Sequence, residues 1–284
     1  GGESLEELLG AHAQHGSSPV RLLDARFLIA PDAHCGTLQR RQDLEAAPGG
    51  DRAFVSLDAL RQMPSGGGLN DSLRVACVSY PWLHRDHPDP RGDSLRLIAC
   101  ALKALLCYLG DGGTYAVFID FCSLHQKGAD GERSAREMSL FELALSSLDE
   151  CYSHPNTLML KVTSRPGWLP GADARSEGSL INTSAYEQRG WCCCESTLGG
   201  LVKDFTNVLD LARLPDEFLR ARELKPARAG RRSGVTERHA EAVCLLHLLL
   251  GAGPLGPGSG TVDVRAIDPK SVPPGRPAPP PASP

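Results

Sequence analysis

The chain has 284 residues, of which 41% are apolar, 23% charged and 5% aromatic, with 30 Gly, 22 Pro and 10 Cys. That apolar share excludes a wholly disordered chain, and no run of about 18 apolar residues offers a membrane-spanning helix. A formal net charge of −4 gives no overall bias toward nucleic acid or an anionic membrane.

Ten cysteines over this length do not make a small disulfide scaffold. No charged-then-apolar leader opens the sequence, which begins with Gly, so an internal region without a secretory leader is expected. The expectation is a soluble cytoplasmic protein with reduced thiols.

In chain order, Ser4–His12 and Leu38–Leu60 carry short, weakly periodic helical patterns, and Met63–Asp71 (MPSGGGLND) is a breaker. The apolar stretches Val20–Ala30 and Phe54–Leu60 are too short for a core of their own. Residues 1–71 are therefore expected as an N-terminal flank packed on a main domain.

The main domain is placed at residues 72–212. Leu73–Tyr80 (LRVACVSY) reads as a strand, and His84–Gly92 as a turn-rich loop. Asp93 is placed to cap a helix whose Ile98, Ala101, Leu102, Leu105 and Leu109 fall at helical spacing, ended by Gly110–Gly113. Tyr115–Phe121 is a second strand, apolar enough to be covered on both faces. A second helix carries Met138, Phe141, Leu145, Leu148 and Tyr152 on one stripe. Thr157–Thr163 is a third strand, and a loop over 164–188 leads to a helix beginning near Gly190.

Strands alternating with helices predict a parallel sheet with right-handed crossovers, a flavodoxin-like α/β three-layer sandwich. Ligands in such sheets bind at the carboxyl ends of the strands. Candidate site residues there are Ser79, Tyr80 and Trp82, then Asp120 to Gln126, then Ser164 and Arg165.

Beyond the domain, residues 213–250 read as a linker and a C-terminal helix. Lys225–Gly234 (KPARAGRRSG) is a basic hinge, and Glu237–Leu250 a Leu-rich helical pattern whose apolar face packs on the domain or on a partner. Ten of the 22 prolines follow residue 250, so residues 251–284 are expected as a disordered Pro/Gly-rich tail.

Three stretches stand in order: Val78-Ser-Tyr-Pro-Trp82, Val117-Phe-Ile-Asp-Phe-Cys-Ser-Leu-His-Gln126 and Arg189-Gly-Trp-Cys-Cys-Cys-Glu195. Together they resemble the HET domain, the heterokaryon-incompatibility module. That family shows a Ser-Tyr-x-Trp strand end, a Trp-Ile-Asp strand followed by Cys and Gln, and an Arg-x-Trp-x-x-x-Glu. The chain is also similar to TIR domains, in which a Trp-Cys precedes a Glu four positions after that Trp, the separation of Trp191 and Glu195 here. The departures are Cys122, one position early, Pro81 inside the first motif, and the missing Gly after it.

The resemblance implies cleavage of the nicotinamide–ribose bond of NAD, with NAD as substrate and no cofactor. Glu195 is then the catalytic carboxylate, beside an oxocarbenium-like transition state; Ser79, Tyr80, Trp82, Asp120, Gln126 and Trp191 would contact substrate. A helix N-terminus would keep Glu195 ionised; otherwise Glu195 is a first-turn residue complementing the helix dipole. Trp191 stacks on a substrate ring or anchors its helix in the core. Asp120, near the end of a buried strand, needs a partner such as Ser79 or a loop N–H. Lys127 and Arg133 could meet a phosphate. The expected partners are further copies of the chain and other signalling proteins, with neither nucleic acid nor membrane. The alternative function is a non-catalytic interaction module of the same fold.

Cys122-x-x-His125 and His84-x-x-His87 have ligand spacing, but no second Cys-x-x-Cys accompanies them and no metal is assigned. Cys192, Cys193 and Cys194 point about 100° apart on a helix, so they cannot share one metal. A helix N-terminus could lower their thiol pKa for redox sensing.

Overall fold

A computed structural model describes residues 18–30, 36–61, 73–109, 114–128, 130–146, 148–155, 157–170, 180–203 and 207–213. The sequence expectations for Ser4–His12, Met63–Asp71, Gly110–Gly113, Lys225–Gly234, Glu237–Leu250 and the Pro-rich tail lie outside the described residues.

Five strands form one sheet: β1 Leu23–Asp24, β2 Leu73–Ser79, β3 Thr114–Phe118, β4 Leu158–Lys161 and β5 Val208–Asp210. Their order is β1-β3-β2-β4-β5. β2 to β5 run parallel and β1 joins β3 antiparallel at one edge, so the described residues form a mixed α/β fold around a mostly parallel sheet. The helices in chain order are α1 Ala25–Ile29, α2 Arg41–Ala46, α3 Leu57–Arg61, α4 Asp93–Leu109, α5 Asp120–Ser123, α6 Ala135–Leu145, α7 Leu148–Ser153 and α8 Gly190–Val202.

Side-chain parity on β2 sets two cores. Ala76 and Val78 pack with Val117 and Leu160 beneath Ile98, Leu102 and Leu105 of α4. Val75 and Cys77 pack with Phe118 and Met159 beneath Ala144 of α6 and Leu148 and Tyr152 of α7. Helices thus cover both faces, which is why Tyr115 to Phe118 on β3 are buried without alternation. Each fully buried aliphatic side chain contributes roughly 1.5–3 kcal/mol. The segment 18–61 adds to both cores, through Leu23, Leu28 and Leu44 on one side and Leu22 and Leu60 on the other. Among the described residues no helix is long and apolar enough to cross a membrane.

The structure corrects several local expectations. β3 ends at Phe118, so Asp120 opens the single turn α5 rather than closing the strand. α4 begins at Asp93, but Asp89 takes its free N–H groups: its carboxylate accepts from Ser94 N at 3.0 Å and Leu95 N at 2.9 Å. Asp93 instead pairs with Arg96 and accepts from Trp168 Nε1 at 2.5 Å.

The expected single stripe from Met138 to Tyr152 is broken between α6 and α7. Ser146 Oγ donates to Leu143 O at 2.7 Å and competes with the helical ladder, and Leu145 is left 42% exposed. β1 and β5, two and three residues long, are strands the apolar pattern did not reveal.

Candidate active site

From β2 the chain crosses through α4 to β3 on one side, then through α6 and α7 to β4 on the other. The carboxyl end of β2 is thus where strand order reverses, the crevice in which α/β sheets hold ligands. Ser79 stands there, Asp120 follows β3, and Lys161 ends β4 opposite Ser79 in the register.

Ser79 shares the parity of Val75 and Cys77, so it faces the α7 and α8 side. Its Oγ lies 2.5 Å from Glu195 Oε2 and 2.5 Å from the Tyr186 hydroxyl. Since the one serine proton goes to Glu195 Oε2, Tyr186 donates to Ser79 Oγ. The Tyr152 hydroxyl donates to Val78 O at 3.1 Å and also favours the Glu195 carboxylate. Glu195 is 4% exposed at this junction of helix and sheet.

Burial raises Glu195 from its ordinary 4.5 to about 8, with nearby Asp120 adding to the rise. The Ser79, Tyr152 and Trp191 donors oppose it and lose. Burial therefore favours the protonated form of Glu195, against the expectation that a helix N-terminus keeps it ionised. It sits in the second turn of α8, counted from Gly190, where the dipole has faded. For the same reason it is not a first-turn dipole partner.

Trp191 is 53% exposed, so it does not anchor α8 in the core. Its ring stands in solvent beside the carboxyl that its N–H favours.

Asp120 has other partners than Ser79. Tyr80 Oη donates to Oδ1 at 2.5 Å, Trp82 Nε1 to Oδ2 at 2.9 Å, and Phe121 N to Oδ1 at 2.6 Å. Burial still pushes this carboxyl upward against those three donors. Trp82 meets Phe121 edge-on, with centroids 5.5 Å apart. Ser79, Tyr80, Trp82, Asp120 and Glu195 are thus brought to one end of the sheet, with Trp191 at its rim.

Gln126 is not free for a ligand in this arrangement. Its amide donates to Asp120 O and Leu124 O at 3.1 Å each, and its backbone N–H and C=O both pair with Gln42. Arg133 donates to His125 O at 2.7 Å and lies over the Phe141 ring, so it also holds the fold. Arg165 donates to the carbonyls of Thr183 and Pro170.

The thiols divide sharply. Cys192 is buried, with its Sγ 3.5 Å from Tyr80 O, and burial beside Glu195 pushes it up to about 12, the reverse of an activated thiol. Cys193 and Cys194 are exposed. Cys122 is 1% exposed in the core beside Phe121, whereas His125 lies 3.6 Å from Glu137, so the Cys-x-x-His spacing does not assemble a nucleophile.

Two residues escaped the sequence reading. Arg189, 9% exposed, donates to the carbonyls of Trp82, Asn182 at 2.8 Å and Ser184 at 3.0 Å, clamping the first motif to the third. Lys161 donates to Ser196 Oγ at 2.8 Å and stands 5.2 Å from the Tyr186 ring, a cation at the crevice. The signal for Lys161 was its place at the end of β4; for Arg189 there was only the motif itself.

A small apolar pocket lined by Phe27, Leu38, Leu44 and Leu95 lies elsewhere, and none of Ser79, Asp120 or Glu195 borders it. Compared with protein-family models, with curated proteins and with solved structures, the chain finds no significant match.

Proposed function

We propose that the chain is a TIR/HET-like signalling domain of flavodoxin-like architecture that hydrolyses the nicotinamide–ribose bond of NAD through Glu195 when copies associate. One observation carries this reading: a buried carboxyl held by Ser79 at the carboxyl end of the central strand, with the exposed Trp191 ring beside it.

The chemistry needs one carboxylate and no general acid. Nicotinamide leaves NAD as a neutral molecule, and positive charge builds on the ribose ring. Glu195 is neutral while the crevice is empty. A pyridinium about 4 Å away attracts a carboxylate by about 4 kcal/mol at an effective dielectric of 20. At about 1.4 kcal/mol per tenfold change, that suffices to ionise a group of pKa near 8 at neutral pH. The bound cation thus releases the Glu195 proton, and the carboxylate stabilises the oxocarbenium-like state. Water then adds to the ribose carbon, giving ADP-ribose and a proton. Ser79 holds the carboxylate, Trp191 offers a stacking face, and Lys161 offers a cation for the pyrophosphate.

A second reading, a non-catalytic interaction module, is favoured by the 4% exposure of Glu195: substrate reaches it only if α8 or the loop before it moves. Incubating purified protein with NAD, dilute and then artificially clustered, and following nicotinamide release separates the two. Turnover that Glu195→Gln abolishes supports the enzyme; no turnover in any assembly state supports the module.

A further inference from the structure

Ser79 and Lys161 end neighbouring strands and stand opposite each other in the register of β2 and β4. One side chain already occupies both. The Tyr186 hydroxyl donates to Ser79 Oγ at 2.5 Å, and its ring stands 5.2 Å from Lys161 Nζ. Tyr186 is 3% exposed, so it is seated in the crevice where strand order reverses, one hydroxyl away from the Glu195 carboxyl. A ligand entering from solvent needs the same two groups.

We propose that Tyr186 is a removable plug: the crevice at the ends of β2 and β4 takes its ligand only after this side chain withdraws. That the excluded ligand is NAD rests on the proposed activity; the plug itself rests on the geometry.

Of the two elements around Glu195, α8 is fixed. A Cβ at Gly199 would come within 2.6 Å of Met159 Sδ, so the helix lies against β4 as closely as glycine permits. Lys203, just after it, donates to Thr157 O at 2.8 Å and to His154 O. The segment before α8 is instead tied at its ends. Asn182 N donates to Leu83 O at 2.9 Å, Arg165 to Thr183 O at 2.7 Å, and Arg189 to Trp82 O. Between these ties Tyr186 opens a three-residue turn closed by local bonds, from Gln188 N to Ala185 O at 3.1 Å and from Arg189 N to Tyr186 O at 3.2 Å. A pivot of residues 184–188 keeps those bonds and breaks the one from Tyr186 to Ser79. Thr183, at the foot of this arch, keeps its hydroxyl buried with no hydrogen-bond partner among the described residues, a cost that water relieves once the arch lifts.

Cys192 reports on the plug without any chemistry at Glu195. It is 3% exposed on α8 and near enough for its charge to act on Tyr186. In the full chain, alkylation with iodoacetamide gives its rate, with fragment-ion mass spectrometry separating it from the exposed Cys193 and Cys194. Reagent reaches Cys192 only in the open form, so a crevice open about 10% of the time labels about tenfold more slowly than one kept open. Tyr186→Ala is expected to raise the Cys192 rate about tenfold, while Cys77 and Cys151, 0% and 2% exposed, stay unlabelled as a sign of intact folding. Tyr186→Phe keeps the ring and loses only the bond to Ser79. It is expected to raise the rate about threefold, and it decides the matter if the alanine variant unfolds. A Cys192 rate unchanged in the folded variants overturns the plug. Nicotinamide release from dilute protein, followed in parallel, should rise with that rate. In a chain that turns over NAD, release that fails to rise overturns the plug. Faster labelling with no release from any chain upholds the plug and removes the NAD activity.

Discussion

The Ser79 hydroxyl, at the end of the central strand, donates to the Glu195 carboxyl oxygen Oε2 across 116 residues of chain at 2.5 Å. That bond ties α8 to β2 and fixes where the candidate catalytic carboxyl stands. It also gives Tyr186 its acceptor. Ser79→Ala leaves two buried polar groups short of a partner, and the expected loss is about 1–3 kcal/mol in urea unfolding. Ser79 holds the carboxylate form of Glu195, so the same substitution raises its pKa further, read by carbon-13 NMR of labelled glutamate. An unchanged titration would mean that the bond does not act on the charge.

Glu195 also sets a pH signature. Its folded pKa, about 8, stands above its ordinary 4.5, so the folded state holds the proton more tightly. The stability this provides is complete below pH 4.5 and is lost as pH rises through about 8. Lys203 has the opposite sense. Its ammonium is buried against Thr157, with Nζ 2.8 Å from Thr157 O, and is pushed from 10.5 down to about 8. The unfolded chain binds that proton more tightly, so this contribution grows between about pH 8 and 10.5. The difference in unfolding free energy between the natural chain and Glu195→Gln should therefore fall from pH 4.5 to 8 and flatten above. A flat difference across that window would show that Glu195 ionises normally.

The apolar runs of β2, β3 and β4 and the start of α8 at Gly190 were legible because buried parallel strands and amphipathic helices leave continuous patterns. β1 and β5 were not: two or three residues carry no period, and pairing with a formed neighbour makes them strands. The site was legible as a place, since Ser79, Asp120 and Glu195 all come to the carboxyl end of the sheet. Their partners were not. Strand parity alone puts Ser79 on the Val75 and Cys77 face, hence toward α8, whereas Asp120 took Tyr80 and Trp82. Helix phase cannot say which arc meets the sheet, so Trp191 came out exposed and Glu195 buried, the reverse of what their polarities suggest.

Asp120→Asn tests the second carboxylate. Aspartate accepts on both oxygens, from Tyr80 and Phe121 on one and from Trp82 on the other. Asparagine offers one acceptor, so its amide N–H₂ must face a donor. The expected loss is about 1–3 kcal/mol by thermal or urea unfolding. Asp120 also raises the Glu195 pKa, so its neutralisation should bring Glu195 below about 8 in the same NMR titration. If Glu195 does not move, the two carboxyls are electrostatically independent and the crevice is not one site.

Arg189→Lys asks whether the third motif is built for shape as well as chemistry. The guanidinium reaches three carbonyls at once, on Trp82, Asn182 and Ser184, with donors spread over Nε, Nη1 and Nη2. An ammonium keeps the charge, but it is a compact donor without the planar fork, so at least one of these partly buried carbonyls loses its partner. The cost should be about 1–3 kcal/mol, and hydrogen exchange should rise over residues 180–189 while the α4 amides stay protected. Because the Trp82 carbonyl lies two residues beyond Tyr80, loosening Arg189 should also free the Trp82 ring from Asp120, visible as a red shift in tryptophan emission. Retained protection over 180–189 in Arg189→Lys would mean that the positive charge alone, without the guanidinium fork, holds the first motif to the third.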